Sequence, residues 1–511
     1  MSTSDAERTV WIGIDLGTQS VRVIALNDAG HQIALAAEPL TSVRDGDRHE
    51  QDPAQWWSAT RTALSRVTQA LGAGAPMVRR RQVRALAISG TSGTVVPLDP
   101  DTGQPRGMAT MYDDRRGAGH LNRVAERGAD LFARLGYRMQ ASWALPRMLT
   151  MVEEGLPDGA VLAHQPDVVS AHLAGRRLPS DLSSALKSGA DLDVVAWPER
   201  LLAELGLPVA RMNGVVASGT VVGSVGAAAA AETGLRAGCQ IVAGMTDGCA
   251  AQIAAGALQP GAWNSVLGTT LVLKGAARSR HPDPDGVVYA HRAPFGVGWY
   301  PGGASSVGAG AVTRWLPDRD LSELTRQFDP VAAAPVAYPL SGRGERFPFV
   351  ADSAEALWPA EMVEDDDPAR FSAILHGVAW TERLAFDLVS SAGYDITGPV
   401  LLTGGGARNP VWNQLRADVL GRTVSLPGHN EGAAGMAVLA AAGYAAADGG
   451  GGSDPLGQAA ARLVPEPTRI EPDLGRHGRL MESYGRFLDM LAERGWVGSS
   501  LLAAGRARAG R

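Results

Sequence analysis

Two hydrophobic patterns, one typical of strands and one of helices, follow each other along the chain. Near the N-terminus, Val10, Ile12 and Ile14 take every second position, which is typical of a strand. A turn over 17–20 interrupts this alternation, which then resumes, so the segment predicts two strands joined by a turn. Residues 55–71 instead carry apolar side chains three to four positions apart, which predicts a helix.

The same two patterns recur further along the chain and predict an α/β protein. Predicted strands lie at 83–89, 240–243, 263–273 (two strands around a Gly-Thr-Thr turn) and 399–403, and predicted helices lie at 118–155, 196–212, 250–258, 371–391 and 410–420. The tail after residue 455 is expected to be helical and to pack on a second domain, with a frayed end over 503–511.

One short segment is echoed later in the chain. Residues 11–18 and 263–270 both read as a strand followed by a Leu-Gly-Thr turn. When the two are aligned on that turn, Val266 stands where the first copy has Asp15. Two duplicated halves, one of which has lost its acid, would explain the echo, and chance similarity over so few residues is the alternative.

Length and composition narrow the class of protein. A chain of 511 residues suggests two to four domains, and 45% hydrophobic with 20% charged residues is typical of globular proteins. Lys and Arg number 47 against 53 Asp and Glu, so the basic excess of a nucleic-acid binder is missing. Two cysteines cannot build a disulfide framework. Neither a signal peptide nor a membrane span is predicted, so we expect a cytoplasmic protein.

Common nucleotide and zinc motifs are missing, but other phosphate-binding turns are present. The chain has no GxxxxGK[ST], no GxGxxG after a strand, no HExxH and no paired CxxC. A tight Gly-Thr turn between two strands can instead point backbone N–H groups at an anion. The turns at 15–20 and 268–270 both fit this geometry, and Asp15 could hold Mg²⁺ directly or through water. Ordinary hairpin turns are the alternative for both.

Three further segments carry candidate chemistry. The glycines at 404–406 stand between a strand and a helix, where they would let a flat ring or a phosphate approach the backbone, or form a plain turn. Asp247 follows a strand and is placed to act as a general base, or to cap the next helix. Residues 112–116 combine two acids with two arginines, which suits a polyol or a solvated charged surface.

The order of these segments resembles the FGGY family of carbohydrate kinases from about residue 10 to 445. The segments are DLGT at 15–18, SGTSG at 89–93, YDDR at 112–115, GMTDG at 244–248, LGTT at 267–270 and GGGARN at 404–409. The resemblance implies two RNase H-like domains of the actin, hexokinase and Hsp70 ATPase type, with the active-site cleft between the lobes. It implies an N-terminal domain over 1–243 with the sugar site and the first phosphate turn. A C-terminal domain over 244–511 would hold ATP, the catalytic aspartate and the helical tail.

The resemblance also assigns roles to residues. The general base falls on Asp247, which would also contact the sugar, and Mg²⁺ falls near Asp15. The remaining sugar contacts fall on Thr91, Ser92, Asp113, Asp114 and Arg115, and ATP contacts fall on Asp15, Gly17, Thr18, Gln19, Gly268, Thr269, Thr270, Gly404, Gly405, Gly406 and Asn409. The expected partners are a small sugar and ATP, and a homodimer is left open.

The sugar loop departs from typical xylulokinases, which carry Gln-Met-His where this chain has Thr91-Ser92-Gly93. Tyr112 replaces their Trp, and Gly248 replaces an Asn or Gln found in many members. Stretches similar to the D-ribulokinase branch are 89–94, 111–114, 181–191, 301–306 and 344–348.

The resemblance therefore implies phosphorylation of the terminal primary hydroxyl of a small ketose, D-ribulose first. D-xylulose, a pentitol or sugar-independent ATP hydrolysis are the alternatives. Asp113 stands where that branch commonly has Asn, which adds a carboxylate near the sugar. Lys187, one of only two lysines, is a candidate for a placed residue or for a surface ion pair.

Overall fold

A computed structural model describes residues 8–72, 81–283, 286–330, 335–360, 362–363, 366–450 and 452–510. The strands are β1 (Thr9–Leu16), β2 (Ser20–Asn27), β3 (Gln32–Pro39), β4 (Val43–Asp45), β5 (Arg48–Gln51), β6 (Gln82–Gly90), β7 (Val95–Leu98), β8 (Ala109–Thr110), β9 (Val161–His164), β10 (Ser180–Asp181), β11 (Val215–Val216), β12 (Val221–Ser224), β13 (Gln240–Val242), β14 (Trp263–Leu267), β15 (Leu271–Gly275), β16 (Tyr289–Arg292), β17 (Trp299–Ala304), β18 (Val400–Thr403), β19 (Val424–Leu426) and β20 (Thr468–Ile470).

The helices are α1 (Pro53–Gly72), α2 (Leu121–Arg127), α3 (Ala129–Leu135), α4 (Ala144–Glu153), α5 (Gln165–Ala174), α6 (Leu182–Ala185), α7 (Glu199–Glu204), α8 (Ala227–Thr233), α9 (Asp247–Ala255), α10 (Gly310–Trp315), α11 (Leu321–Gln327), α12 (Asp367–Ser391), α13 (Pro410–Leu420), α14 (Gly432–Ala447), α15 (Pro455–Leu463), α16 (Leu474–Glu493) and α17 (Ser499–Arg508). None of the described helices combines the length and apolar character needed to cross a bilayer.

The chain folds into two compact units. The first contains Met1–Gly256, His291–Trp299 and His429–Pro465, and the second contains Ala257–Ala290, Tyr300–Gly428 and Glu466–Arg511. The first unit thus runs past the sequence-based boundary at 243, because β13 joins its sheet beside β6 and α9 follows directly. Asp247, expected in the C-terminal domain, therefore lies in the first unit.

The first unit is built on a six-stranded sheet in the order β12-β13-β6-β1-β2-β3. Strands β1, β6 and β13 are parallel, and β1 and β2 form the antiparallel hairpin expected from the sequence. Alternation along β1 separates its two faces. Val10, Ile12 and Ile14 join the core with α1, whereas Gly13 lies against the backbone of α14. A Cβ on Gly13 would stand 1.7 Å from the carbonyl oxygen of Ala433, so this contact requires glycine.

The second unit repeats the same strand order. Its seven-stranded sheet runs β16-β17-β15-β14-β18-β19-β20, with β14, β18 and β19 parallel and β14 and β15 forming an antiparallel hairpin. Asp15 is paired with Ser89 across β1 and β6, and Val266 is paired with Thr403 across β14 and β18. The echo in the sequence thus corresponds to equivalent hairpins, which favours duplication over chance.

Three expectations about helices differ from the structure. Helix α9 begins at Asp247 rather than near Ala250, and residues 196–212 form only the short helix α7 and a single 3₁₀ turn. The expected fraying over 503–511 is wrong for 503–508, which are helical because Gly505 packs against Leu488 and Tyr484 of α16. Residue 511 lies outside the described residues. The tail after 455 is helical, and α16 and α17 belong to the second unit while α15 belongs to the first.

Candidate active site

Three parallel strands of the first unit bring the predicted catalytic residues to one edge of the sheet. Asp15 lies near the end of β1, and its register partner Ser89 lies near the end of β6. Beyond β13 the chain forms a parallel bridge between Gly90 and Thr246, which places Asp247 at the same edge. Carboxyl ends of parallel strands are where open α/β sheets bind ligands.

The carboxylate of Asp15 lies in surroundings that disfavour its negative charge. Its Oδ1 accepts a hydrogen bond of 2.7 Å from the hydroxyl of Ser89. The pKa of Asp15 is raised to about 6, mainly by burial and also by the negative charges of Asp247 and Glu431, against the Ser89 hydrogen bond and the charge of Arg22. Three acids thus act on one another here, and a cation would relieve their repulsion.

Asp247 is held by its backbone and leaves its side chain exposed. It is the first residue of α9, after the N-cap residue Thr246, so the alternative of Asp247 as the N-cap is wrong. Its Oδ1 accepts a 2.7 Å hydrogen bond from the N–H of Gly248. Gly244 lets the chain pass close to β6, because a Cβ there would stand 1.8 Å from the carbonyl oxygen of Ile88.

A buried hydroxyl network fixes the residue before Asp247. The N–H of Thr246 donates to the Oγ of Ser183 at 3.2 Å, and the two hydroxyls are also 3.2 Å apart. The same Ser183 hydroxyl lies 2.9 Å from Nδ1 of the buried His291. These partners are distant in sequence, and nothing in the sequence pattern connects them to Asp247.

The sugar loop over 91–93 is packed rather than open. The N–H and hydroxyl of Thr91 both donate to Oε1 of Gln165, each at 2.9 Å, so Thr91 shapes the loop. The hydroxyl of Ser92 is buried and has no hydrogen-bond partner among the described residues. Lys187 donates to the carbonyl oxygen of Ser92 at 3.1 Å, which favours a placed residue over a surface ion pair.

The three charged side chains at 113–115 differ in their burial and in their partners. Asp114 is fully buried and accepts from the N–H of His49 at 2.9 Å and from Arg116 at 2.8 Å. Asp113 is half-buried and pairs with Arg44 at 2.8 Å and with Nδ1 of His49. Burial raises the pKa of Asp113, but the contacts with His49 and Arg44 outweigh it and lower the pKa overall. Of the two acids, Asp113 is the one that reaches solvent, and Arg115 beside them is exposed.

Sequence reasoning missed Arg147, which joins the two sugar segments. Its buried guanidinium donates to the carbonyl oxygens of Tyr112 at 3.0 Å, Asp114 at 3.2 Å and Ser142 at 2.7 Å, and to that of Gly93. Burial lowers its pKa to about 10, so it stays charged at neutral pH. The available signal was a lone arginine within the apolar helix α4.

The first phosphate turn is closed by main-chain hydrogen bonds. The N–H of Gly17 donates to the carbonyl oxygen of Ser20 at 3.0 Å. The carbonyl oxygen of Thr18 accepts from Nε2 of Gln51 at 2.7 Å, and Gln19 is exposed. Gln51, which lies outside the turn, therefore anchors it, and Gln19 within the turn is accessible to solvent.

In the second unit the two predicted nucleotide segments lie side by side. The N–H of Gly268 donates to the carbonyl oxygen of Thr270 at 3.0 Å, which closes a turn like that at Gly17. Gly404 has a φ of +84°, and a Cβ there would stand 2.6 Å from the carbonyl oxygen of Leu267. Thr269 belongs to the same turn, and Gly406 packs on the Leu267 side chain.

The rest of the glycine segment contains an open position at Gly405 and the N-cap of α13 at Asn409. A Cβ at Gly405 would meet nothing within 4 Å among the described residues. Asn409 caps α13, because its Oδ1 accepts from the N–H groups of Val411 at 3.0 Å and Trp412 at 3.1 Å. Its Nδ2 donates to the hydroxyl of Thr325 at 3.0 Å. The segment thus offers an open glycine beside a rigid helix start.

Comparison with known proteins identifies the family. Residues 10–254 match the N-terminal domain of the FGGY family of carbohydrate kinases, and residues 263–444 match its C-terminal domain. The chain belongs to this family. It is a carbohydrate kinase, a phosphotransferase with an alcohol group as acceptor, and FGGY kinases use ATP.

Individual FGGY kinases are similar over most of their length. A xylulose kinase of Streptomyces coelicolor is 28% identical over 87% of this chain and 89% of its own, and a xylulose kinase of Bacillus subtilis is 26% identical over 84% and 88%. Among solved structures, one described as a xyloylose kinase from Brucella ovis superposes with a TM-score of 0.83 at 25% identity, covering 95% of this chain and 99% of that one. This likeness and the two sheet-containing units agree with the two-domain α/β fold expected from the sequence.

Proposed function

We propose that this FGGY kinase transfers the γ-phosphoryl group of ATP to the terminal primary hydroxyl of a small ketose, D-ribulose first. The observation that carries this proposal is the meeting of Asp15, Ser89 and Asp247 at the ends of three parallel strands. The sugar loop over 91–93 and the half-buried Asp113 lie in the same unit. The assignment of D-ribulose rests on this loop, which carries small hydroxyl side chains in place of Gln-Met-His.

In this proposal Asp247 accepts the proton of the sugar hydroxyl. Phosphoryl transfer depends mainly on alignment and charge neutralisation, and the hydroxyl proton leaves late, so an ordinary carboxylate suffices. Asp247 suits the role because its side chain is exposed while its backbone is fixed through Thr246 and Ser183. An acid in the first turn of a helix is also stabilised in its charged form by the helix dipole.

Asp15 fits a Mg²⁺ ion. Burial raises the pKa of its carboxyl group and the charges of Asp247 and Glu431 raise it as well, and a cation would offset those two charges. Within the described residues no three His, Cys, Asp or Glu side chains form a ready metal cage. This fits Mg²⁺, which usually takes one or two carboxylates and keeps several waters. When bound, Mg²⁺ neutralises charge on the phosphates; the residues of this chain hold Asp15 in place through Ser89.

We further propose that Ser92 and Asp113 read the sugar hydroxyls. Ser92 offers a hydroxyl without a partner among the described residues, and a buried polar group of this kind favours a ligand that can pair with it. Asp113 is kept ionised by His49 and Arg44 and can accept hydrogen bonds. Asp114 is occupied by Arg116 and supports the loop.

D-xylulose is the second candidate. The relatives from Streptomyces coelicolor and Bacillus subtilis carry the name xylulose kinase, and this observation favours D-xylulose over its epimer D-ribulose. D-ribulose and D-xylulose differ at one hydroxyl. A site that hydrogen-bonds one configuration can discriminate against the other by a large factor, since the wrong epimer leaves polar groups unpaired.

The test is ADP release from the full chain with Mg-ATP and D-ribulose, D-xylulose, ribitol, xylitol, glycerol or no sugar. We expect D-ribulose to give the highest kcat/KM, and Asp247→Asn to reduce it by about 10²–10⁴-fold, the usual size of general-base catalysis. Asp130→Asn is the matched control, because Asp130 is also an exposed acid in the first turn of a helix of the same unit. A preference for D-xylulose would make D-xylulose, rather than D-ribulose, the substrate of the kinase. Equal ADP release with and without sugar would reject the proposal.

A further inference from the structure

The first unit has a cavity at the edge of its sheet opposite the candidate active site. The cavity has a volume of about 640 Å³ and is lined by Thr9 at the start of β1 and Gln82 at the start of β6. Asp15 lies six residues further along β1 than Thr9, which is roughly 20 Å at the rise of a strand. The cavity is therefore a separate place from the site around Asp15 and Asp247.

Basic side chains outnumber acidic ones by one in the cavity wall. Three arginines line it, Arg8, Arg84 and Arg462, against the two acids Asp28 and Asp448. Asp28 is buried, accepts from the indole N–H of Trp11 at 2.9 Å and forms an ion pair with Arg462 at 3.2 Å, so the excess charge comes from Arg8 and Arg84 against Asp448. The wall therefore has a net positive charge, and guanidinium groups recognise phosphate and carboxylate oxygens.

The cavity also has an aromatic side and is larger than one inorganic anion needs. The rings of Trp11 and Tyr444 lie 5.5 Å apart at an angle of 60°, and both line it. Pockets of about 300–1,000 Å³ are typical of small organic ligands. A phosphate ester, which combines a phosphoryl dianion with a small organic group, matches both the charge and the size.

Helix α14 connects this cavity to the active-site residues. Its last turns line the cavity through Ala441, Tyr444 and Ala445, and its first residue, Gly432, lies against the carboxylate of Asp15. Between these ends the backbone of the helix lies directly against α9 at Gly435. A Cβ on Gly435 would stand 2.0 Å from the carbonyl oxygen of Ala250 in α9.

The same helix lies equally close to β1 at Gly13, so it touches both elements that carry the acids. Close-packed interiors transmit a displacement rather than absorb it. A shift of α14 caused at the cavity would therefore reach Asp15 through β1 and Asp247 through α9.

We propose that this cavity binds a phosphate ester, and that binding changes the kinase activity through α14. The binding site stands on its own residues, whereas the regulatory part rests on the proposed function. Inorganic phosphate, a sugar phosphate and a nucleoside monophosphate share the required phosphoryl group, and they serve as separate arms of the test.

The binding test is calorimetric titration of the full chain with inorganic phosphate, D-ribulose 5-phosphate and AMP. We expect at least one probe to show a binding event that weakens 10-fold or more in Arg84→Ser and in Arg462→Ser. The same event should persist in Arg200→Ser, a control at an exposed arginine of α7, and in Asp247→Asn. Arg84→Lys keeps the charge and should bind with intermediate affinity, and thermal unfolding checks that each variant folds.

Binding by none of the probes, or an event retained in both Arg84→Ser and Arg462→Ser, would overturn the cavity site. The regulatory part is measured as the ratio of sugar-dependent ADP release with and without the bound probe. We expect a change of at least twofold that Arg84→Ser loses and Arg200→Ser keeps, and an unchanged ratio in the unmodified protein would overturn the coupling. Specific binding together with no activity on any sugar would uphold the cavity and reject the proposed function instead.

Discussion

At the scale of single residues, Arg147 connects the two segments that are predicted to contact the sugar. One guanidinium holds carbonyl oxygens from both 91–93 and 112–114, so it fixes the distance between them. Lysine keeps the charge but lacks the planar group that reaches several acceptors at once. The position of Ser92 relative to Asp113 therefore depends on arginine.

We predict that Arg147→Lys raises the KM for the sugar by about tenfold, which corresponds to roughly 1.4 kcal/mol. The KM for ATP should stay within about twofold, because the carbonyl groups that Arg147 contacts belong to none of the predicted ATP-binding residues. Steady-state kinetics with each substrate varied in turn measures both values. Arg123→Lys, at an exposed arginine of α2, is the control, and equal increases in both KM values would contradict the prediction.

Asp181 makes stability depend on pH. It is buried at the start of α6, where its oxygens accept from the N–H of Ser184 at 2.8 Å and from its hydroxyl at 2.7 Å. Burial raises its pKa to about 6 against those hydrogen bonds. The folded protein thus holds this proton more tightly than the unfolded chain, so the contribution to stability is full below about pH 4 and is lost as the pH rises through 6.

We predict that Asp181→Asn removes this dependence. The free energy of unfolding of the variant, relative to the unmodified protein, should rise by on the order of 3 kcal/mol between pH 4 and pH 7. Urea unfolding followed by circular dichroism measures it. Asp130→Asn, at an exposed side chain, is the control, and a difference for Asp181→Asn that stays constant with pH would contradict the expectation.

At the scale of elements, the tight packing of α14 on β1 limits what the sequence can tolerate. Gly13→Ala should destabilise the protein by about 3 kcal/mol, because backbone atoms of the helix cannot move aside as a side chain would. Thermal unfolding of the variant measures the effect. At Gly119 a Cβ would meet nothing within 4 Å in the described part of the chain, so Gly119→Ala should unfold like the unmodified protein. A similar midpoint for both variants would show that α14 can shift.

The sequence predicted the helices and strands better than it predicted which residues contact one another in the fold. The hairpin at 9–27 and the helix at 410–420 follow from alternation, spacing and glycine turns, which are local signals, whereas the sequence placed Asp15 and Asp247 in different domains. Arg147 and Ser183 act through carbonyls and hydroxyls more than 30 residues away, and such contacts leave no trace in a single sequence. The sequence showed the charges at Asp113 and Asp114 but could not separate a buried ion pair from a surface one.

At the scale of the whole molecule, the two units repeat one strand order with a different charge at corresponding places. Asp15 in the first unit corresponds to Val266 in the second, and Ser89 corresponds to Thr403. The first unit thus has an acid that suits a cation at this place, and the second unit lacks that acid. The difference agrees with the expectation from the sequence that ATP phosphates contact the Gly268–Thr270 turn, where an acid would repel them.

We predict that Val266→Asp raises the KM for ATP by about tenfold, since it adds a negative charge beside that turn. The KM for the sugar should change little. Val266→Thr, which is similar in size and uncharged, is the matched control and should bind ATP normally. An unchanged KM for ATP in Val266→Asp would argue against phosphate binding at this turn.

The division of the first unit into three separate stretches of chain has a consequence for its synthesis. The stretch that ends at Gly256 contains Asp15, Asp247 and the sheet between them, but α14 starts only at residue 432. At about 5–20 residues per second, a ribosome adds the intervening segment in roughly 10–40 s. During that time the face of β1 around Gly13 lacks its helix. The nascent chain therefore carries an exposed sheet face that a chaperone can hold, and Asp15 and Asp247 reach their final surroundings only after most of the protein has been made.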